Sequence, residues 1–223
     1  MTLHEAIDFT GDLSKTDKMP WYSYNLPAHA CATGGRLRNK KNTVCSRCYA
    51  CRGRYTFKHT LAAMDRRLIA CGGTRWAEAM IFLLNHRLYH SRSEEPKFFR
   101  WHDSGDIQSP LHLMKIFDIC LGTPQIRHWL PTKERNMVEA VLRARPLIPV
   151  NLVIRLSAHY IDEPCDRSGL RLPSAVVYTE RWKVKGISHF CPAREQDHKC
   201  GECRACWDPA VKQVAFPLTG GRG

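Results

Sequence analysis

Two stretches set cysteines at an even three-residue pitch. VCSRCYACRGRY carries Cys45, Cys48 and Cys51, and CGECRACW carries Cys200, Cys203 and Cys206. Thiolates bind soft metals, attack electrophiles or oxidise to disulfides, and each use implies a different protein. Cys31 precedes the first run, and Cys191, followed by Pro192, precedes the second. A Cys-x2-Cys-x2-Cys run and a Cys-Pro are the parts of bacterial ferredoxin cluster loops, here in another order. Zinc more often takes two Cys-x2-Cys pairs separated by a longer loop. The pitch therefore favours [4Fe–4S] ligation, by one cluster or two, over a single zinc ion. Cys31, Cys45, Cys48 and Cys51 supply either four ligands, or three with one iron open to substrate, as catalytic metal sites usually keep a position open. Cys71, Cys120 and Cys165 stand alone and read as packing residues.

The bulk properties bear on the same choice. A chain of 223 residues with 43% hydrophobic and 25% charged residues is ordinary for one folded domain. No apolar run reaches the length of a membrane span. The stretch MTLHEAIDFTGDLSK has no signal-peptide core, which leads us to expect a cytoplasmic protein with no membrane partner. In a reducing compartment, 11 cysteines, an odd number, point to metal or catalysis before disulfides. The formal charge is +13, and from Arg36 through Arg67 ten Lys or Arg accompany one acid, Asp65. Such a segment suits nucleic acid or another polyanion, and equally suits an anionic thiolate cluster. Charge alone does not separate the two.

Elements must position these groups. Residues 1–18 read as a flexible leader. PWYSYNLPA (20–28), KFFRW (97–101), IRHWL (126–130), NLVIRLS (151–157) and SAVVYT (174–179) read as strands, and GISHF (186–190) leads into the second cysteine run. Phe57, Leu61, Met64 and Leu68 mark one face of a helix that stops at Gly72-Gly73, and a second helix spans about Thr74 to Tyr89. Ser109-Pro110 opens a third that ends near Gly122, and Thr132 caps a fourth that ends before Pro146. Alternation of strands and helices predicts an α/β fold, a partial (β/α) barrel over 19–190 or else an open doubly wound sheet, with a cysteine-rich segment and tail over 191–223 packed on it.

Each strand then ends in polar side chains. FFRW leads to His102, Asp103, Ser104 and Asp106; RHWL leads to Thr132, Lys133 and Glu134; NLVI leads to Arg155, Ser157 and His159. In parallel β/α folds these ends share the face where sites sit. His102, Asp103, Asp106, Lys133, Glu134 and Arg155 are the candidate catalytic groups, and Tyr49, Ser104 and Ser157 candidate cofactor contacts. Plainer duties compete: Ser109 and Thr132 as helix caps, Asp106 as a turn residue, Arg155 as the salt-bridge partner of Asp103 or Glu134.

KMPWYSYNLPAHAC, VCSRCYACRGRY, FRWHDSGDI, HWLPTKE, LVIRLSA and CGECRACW together resemble the gene product 88 family, found in mycobacteriophages and other phages. That family resembles radical S-adenosylmethionine enzymes, with a partial barrel and a cysteine-ligated cluster near the first strand. The resemblance implies Cys31, Cys45, Cys48, Cys191, Cys200, Cys203 and Cys206 as cluster ligands; Cys51 stands outside the family's set. It also implies a host-cytoplasmic phage protein. Radical enzymes use Cys-x3-Cys-x2-Cys and a Gly-Gly-Glu segment. Here the first spacing is x13 and Gly72-Gly73-Thr74 falls between helices, so no motif supports S-adenosylmethionine. Three readings compete: an iron–sulfur enzyme of redox, radical or lyase type; a cluster- or zinc-stabilised nucleic-acid-binding protein using 36–67; and a structural iron–sulfur protein. The substrate, a host-protein partner and the oligomeric state are left open.

Overall fold

The alternation in KFFRW produces a sheet with two chemically different faces. In a computed structural model, which describes residues 1–91, 95–167 and 169–218, seven strands form one sheet. They are β1 (Ser23–Tyr24), β2 (Lys97–Trp101), β3 (Ile126–Thr132), β4 (Leu152–Ser157), β5 (Ser174–Tyr178), β6 (His189–Phe190) and β7 (Gln213–Pro217). Every pairing is parallel, in the order β1-β2-β3-β4-β5-β7-β6. The helices are α1 (Leu3–Thr10), α2 (Ala32–Arg38), α3 (Lys58–Gly72), α4 (Trp76–Tyr89), α5 (Pro110–Leu121) and α6 (Arg135–Ala144).

Strands β1 to β5 follow chain order, and right-handed crossovers in such a run place the connecting helices on one face. Phe99 and Trp101 of β2, Leu130 of β3 and Ile154 of β4 pack there against Trp76, Met80, Leu84, Phe117 and Val138. Burying side chains of that size gives about 1.5–3 kcal/mol each, which fixes the strand register. The α/β class is as expected. The strand order is that of an open sheet: β7 inserts between β5 and β6, and among the described residues no pairing joins β1 to β6.

The opposite face carries Phe98, Trp129 and Phe216, covered by Trp207 and the second cysteine run. The Trp207 ring stands 5.2 Å from Trp129 and 5.6 Å from Phe98, and its Nε1–H donates to the Phe99 carbonyl at 2.8 Å. Because β7 belongs to the sheet, a boundary at residue 190 divides it; residues 219–223 of the expected tail lie outside the described residues.

Residues 1–18, expected as a flexible leader, are ordered through Thr10 by α1. Thr2 and Glu5 form a capping box, and Gly11 closes the helix in the left-handed conformation. Ala6 is fully buried, and the Ser14–Ser23 bridge ties the segment to the sheet edge. The helix after β3 begins at Arg135 with Glu134 as its cap, whereas the sequence placed the cap at Thr132. Ser109 does cap α5, accepting from His112 N at 3.1 Å.

Candidate functional site

The first cysteine group lies beyond the C-terminal ends of β1 to β4. The chain leaves β1, makes one turn at Ala28–Ala30, and reaches Cys31 at the head of α2. Glu134 grips that head: its carboxylate accepts from Thr33 N at 2.7 Å and Thr33 Oγ1 at 2.8 Å. The Cys45 loop is held to the end of β4 by the Thr43–Tyr160 bridge and by Val44 N to His159 O at 2.9 Å. Gly34 lets the two segments meet. A Cβ there would lie 2.9 Å from Cys31 Cβ, 3.6 Å from Cys45 Sγ and 3.7 Å from Cys31 Sγ.

The HDSGD loop divides its side chains among three tasks. His102, at φ +50°, is buried against Trp101 and His112, and neither ring nitrogen has a hydrogen-bond partner among the described residues. Burial, then His112 and Arg100, hold it well below the usual histidine range. Asp103 Oδ2 accepts from Tyr55 at 2.9 Å, and its backbone carbonyl accepts from the Tyr49 hydroxyl. Asp103 thus secures the Cys48–Tyr55 segment. Asp106 accepts from Thr132 Oγ1 at 2.6 Å, Ile107 N at 2.8 Å and Lys133 N at 2.9 Å. Burial nevertheless pushes its carboxyl up to about 6. Ser104 is buried, with its carbonyl accepting from Leu26 N at 2.9 Å, and Ser157 closes β4 opposite Ala175.

Electrostatics bind the group together. Burial raises the Cys31 thiol, Asp106, Cys48 and Cys45 raise it further, and Lys133 opposes them. Burial also raises Cys45, with Lys133 the first group opposing it. These thiols keep their protons near neutral pH unless a bound cation takes the protons' place. Cys51 is exposed, and its neighbours are Cys48, Arg38 and Arg52.

The second group sits on the opposite sheet face. Cys191, Cys200, Cys203 and Cys206 pack with Trp129 and Trp207, and His189 Nε2 is 3.3 Å from Cys203 Sγ. Arg155 is fully buried and points here. It donates to the carbonyls of Cys206 at 3.0 Å and of Ala205, Asp208 and Val211 at 2.7 Å each. Its partners are carbonyls, so neither Asp103 nor Glu134 neutralises it. Burial raises Cys206, against which Arg155 is the leading opposing charge, and burial raises Cys200, opposed first by Arg100. Arg100 therefore faces both groups: its guanidinium lies 4.6 Å over the Trp129 ring and donates to Tyr49 Oη at 3.3 Å.

A model described as Gene product 88 matches residues 4–213, nearly the whole chain. The chain belongs to the gene product 88 family. This is the phage family that the quoted segments suggested. No curated protein and no solved structure matches the chain. Nothing in that match supports a relation to radical S-adenosylmethionine enzymes. Among the described residues no helix is long and apolar enough to cross a membrane.

For this gene product 88 chain, then, Cys31, Cys45, Cys48, Asp106 and Lys133 stand together, with Glu134 and Asp103 anchoring the loops that carry them. Arg155 stands with the second group, and His102 faces the helical core. Sequence reading missed Thr33, Arg100 and His189. Arg100 carries a signal in hindsight, since a cation inside an aromatic strand needs a partner on one face.

Proposed function

We propose that this gene product 88 protein binds iron–sulfur clusters and works as an enzyme at the first cysteine group. Cys31, Cys45 and Cys48 would hold a [4Fe–4S] cluster, and Cys191, Cys200, Cys203 and Cys206 a second. Among the described residues no three His, Cys, Asp or Glu side chains already form a single-ion geometry. The support is therefore the donor chemistry: two sets of unpaired thiols, with Lys133 beside the first and buried Arg155 beside the second opposing the rise that burial causes. With three cysteine ligands such a cluster would supply an open iron as electron donor or Lewis acid.

The observation that carries the enzyme reading is the placement of Asp106 beside Cys31 and Cys45. A carboxyl raised to about 6 can take up and release a proton near neutral pH. Lys133 supplies a cation for an anionic substrate or intermediate, and Tyr49 and Asp103 fix the loop that carries Cys48. The chemistry open to this set is redox, radical or lyase type, and S-adenosylmethionine has no motif here to hold it. The second group, with four cysteines to ligate every iron, would serve structure or electron transfer.

Anaerobic purification followed by iron and sulfide counts tests the reading. About eight irons per chain are expected, falling to about four in Cys45→Ser. Zinc without iron in the wild-type chain overturns it.

A further inference from the structure

The basic segment is left unexplained by the cysteine site, and the structure separates its two causes. The cations acting most strongly on the first thiols are Lys133 and Arg38, with Arg52 at Cys51. Lys40, Lys41, Arg47, Arg54 and Lys58 are exposed, as is Arg52, and none of the six forms an ion pair among the described residues. The segment's one acid, Asp65, faces His29 at 3.8 Å. Uncompensated charge therefore points outward around the cysteine-lined mouth.

Aromatic faces are interleaved with it. Phe57 is 51% exposed, Tyr49 45% and Tyr160 44%. Tyr49 is anchored through its hydroxyl to the Asp103 carbonyl and flanked by Tyr55 at 5.7 Å, so the ring is a fixed platform. The Thr43–Tyr160 bridge ties Tyr160 to this basic segment. The rim itself consists of single turns at Cys45–Arg47, Tyr49–Cys51 and Gly53–Thr56. It presents no long helix or ribbon to a duplex groove, whereas cations with open aromatic faces suit a strand whose bases are unstacked.

We infer that residues 40–58, with Tyr160, bind single-stranded nucleic acid along the rim of the cysteine mouth. This holds whether or not the thiols carry a cluster. Phosphates would lie on Lys40, Lys41, Arg47, Arg52, Arg54 and Lys58, and bases would stack on Tyr49, Phe57 and Tyr160.

Fluorescence anisotropy of a labelled single strand of about 20 nucleotides tests this on the full chain. It is run before and after anaerobic loading with iron and sulfide. With about six phosphate contacts, affinity should fall roughly 300-fold between 50 and 200 mM salt. Reversing Arg47, Arg52 and Arg54 together to Glu should lower the slope of log affinity against log salt by at least about 2. Phe57→Ala should weaken binding by at least about fivefold. No binding at low salt, equal affinity for duplex or for polyglutamate, or an unchanged triple variant would each overturn the inference. A chain that binds the strand but takes up no iron sustains it and removes the cluster reading instead.

Discussion

A methyl group on Gly105 would lie 2.5 Å from Leu26 Cβ and 2.8 Å from the Leu26 carbonyl oxygen, at a backbone φ of +84°. Leu26 leads directly to Cys31, so this one residue sets how closely the HDSGD loop approaches the first cysteine. Gly105→Ala should destabilise the chain by at least about 2 kcal/mol, from the disfavoured φ and the backbone clash together. Gly35→Ala, at a helical glycine with nothing within 4 Å, should be neutral or slightly stabilising. Urea denaturation of both variants checks the contrast. At this scale the sequence was legible in type but not in direction. HDSGD looked like one catalytic unit, yet His102 turns to the helical core, Asp103 to Tyr55, and Asp106 to Thr132. Positive φ at His102 and Gly105 rotates the chain between them, and that rotation has no signature in residue identity.

Arg155 holds residues 205–211 to the sheet through four backbone carbonyls. Methionine in its place would leave the Cys206 and Val211 carbonyls without a donor among the described residues, and Ala205 and Asp208 with only their longer backbone bonds of 3.4 and 3.3 Å. Arg155→Met should therefore cost about 3 kcal/mol or more and loosen the loop around Cys206, which is 8% exposed. Maleimide labelling of Cys206, slow in the wild-type chain, should become fast before the rest of the protein unfolds. Labelling at an unchanged rate would remove the positioning role. The elements themselves were mostly readable. KFFRW, IRHWL, NLVIRLS and SAVVYT became β2 to β5, because short apolar runs, alternating in KFFRW and nearly continuous in buried β4, leave a mark in the sequence. Two-residue β6 and the late β7 left none, and the carbonyl partners of Arg155 are invisible in any sequence. Thr132 was read as a cap because its hydroxyl type suits one. The structure gives the hydroxyl to Asp106 at 2.6 Å while it accepts from Glu134 N at 3.0 Å, one position before the helix.

For the molecule as a whole, buried histidines govern the response to acid. Burial lowers His112 and His128 from 6.5 to about 3. Thr123 gives its hydroxyl proton to the Ile119 carbonyl at 2.7 Å, so at 2.9 Å it accepts from His128 Nε2–H, and that ring is held neutral. The unfolded chain binds protons below its ordinary histidine range that the folded chain refuses. This stability is complete above about pH 6.5 and is lost as pH falls, by about 1.4 kcal/mol per pH unit for each histidine. Asp106, raised to about 6, runs the other way and offsets one of them below that pH. His102 adds to the loss. The urea midpoint should therefore drop clearly between pH 7 and pH 5, and His128→Gln should flatten the drop. A midpoint rising over that interval would contradict the assignment.

The position of β7 has a consequence for synthesis. It fills the place between β5 and β6, and Trp207 covers Phe98 and Trp129 just before it. A growing chain that has emerged only as far as β5 thus presents an aromatic sheet face and an unpaired edge to its surroundings. Both persist until β7 leaves the ribosome, so this sheet is locked only when its latest described strand arrives. Chains stopped short of residue 213 should be captured by chaperones or proteases rather than accumulate.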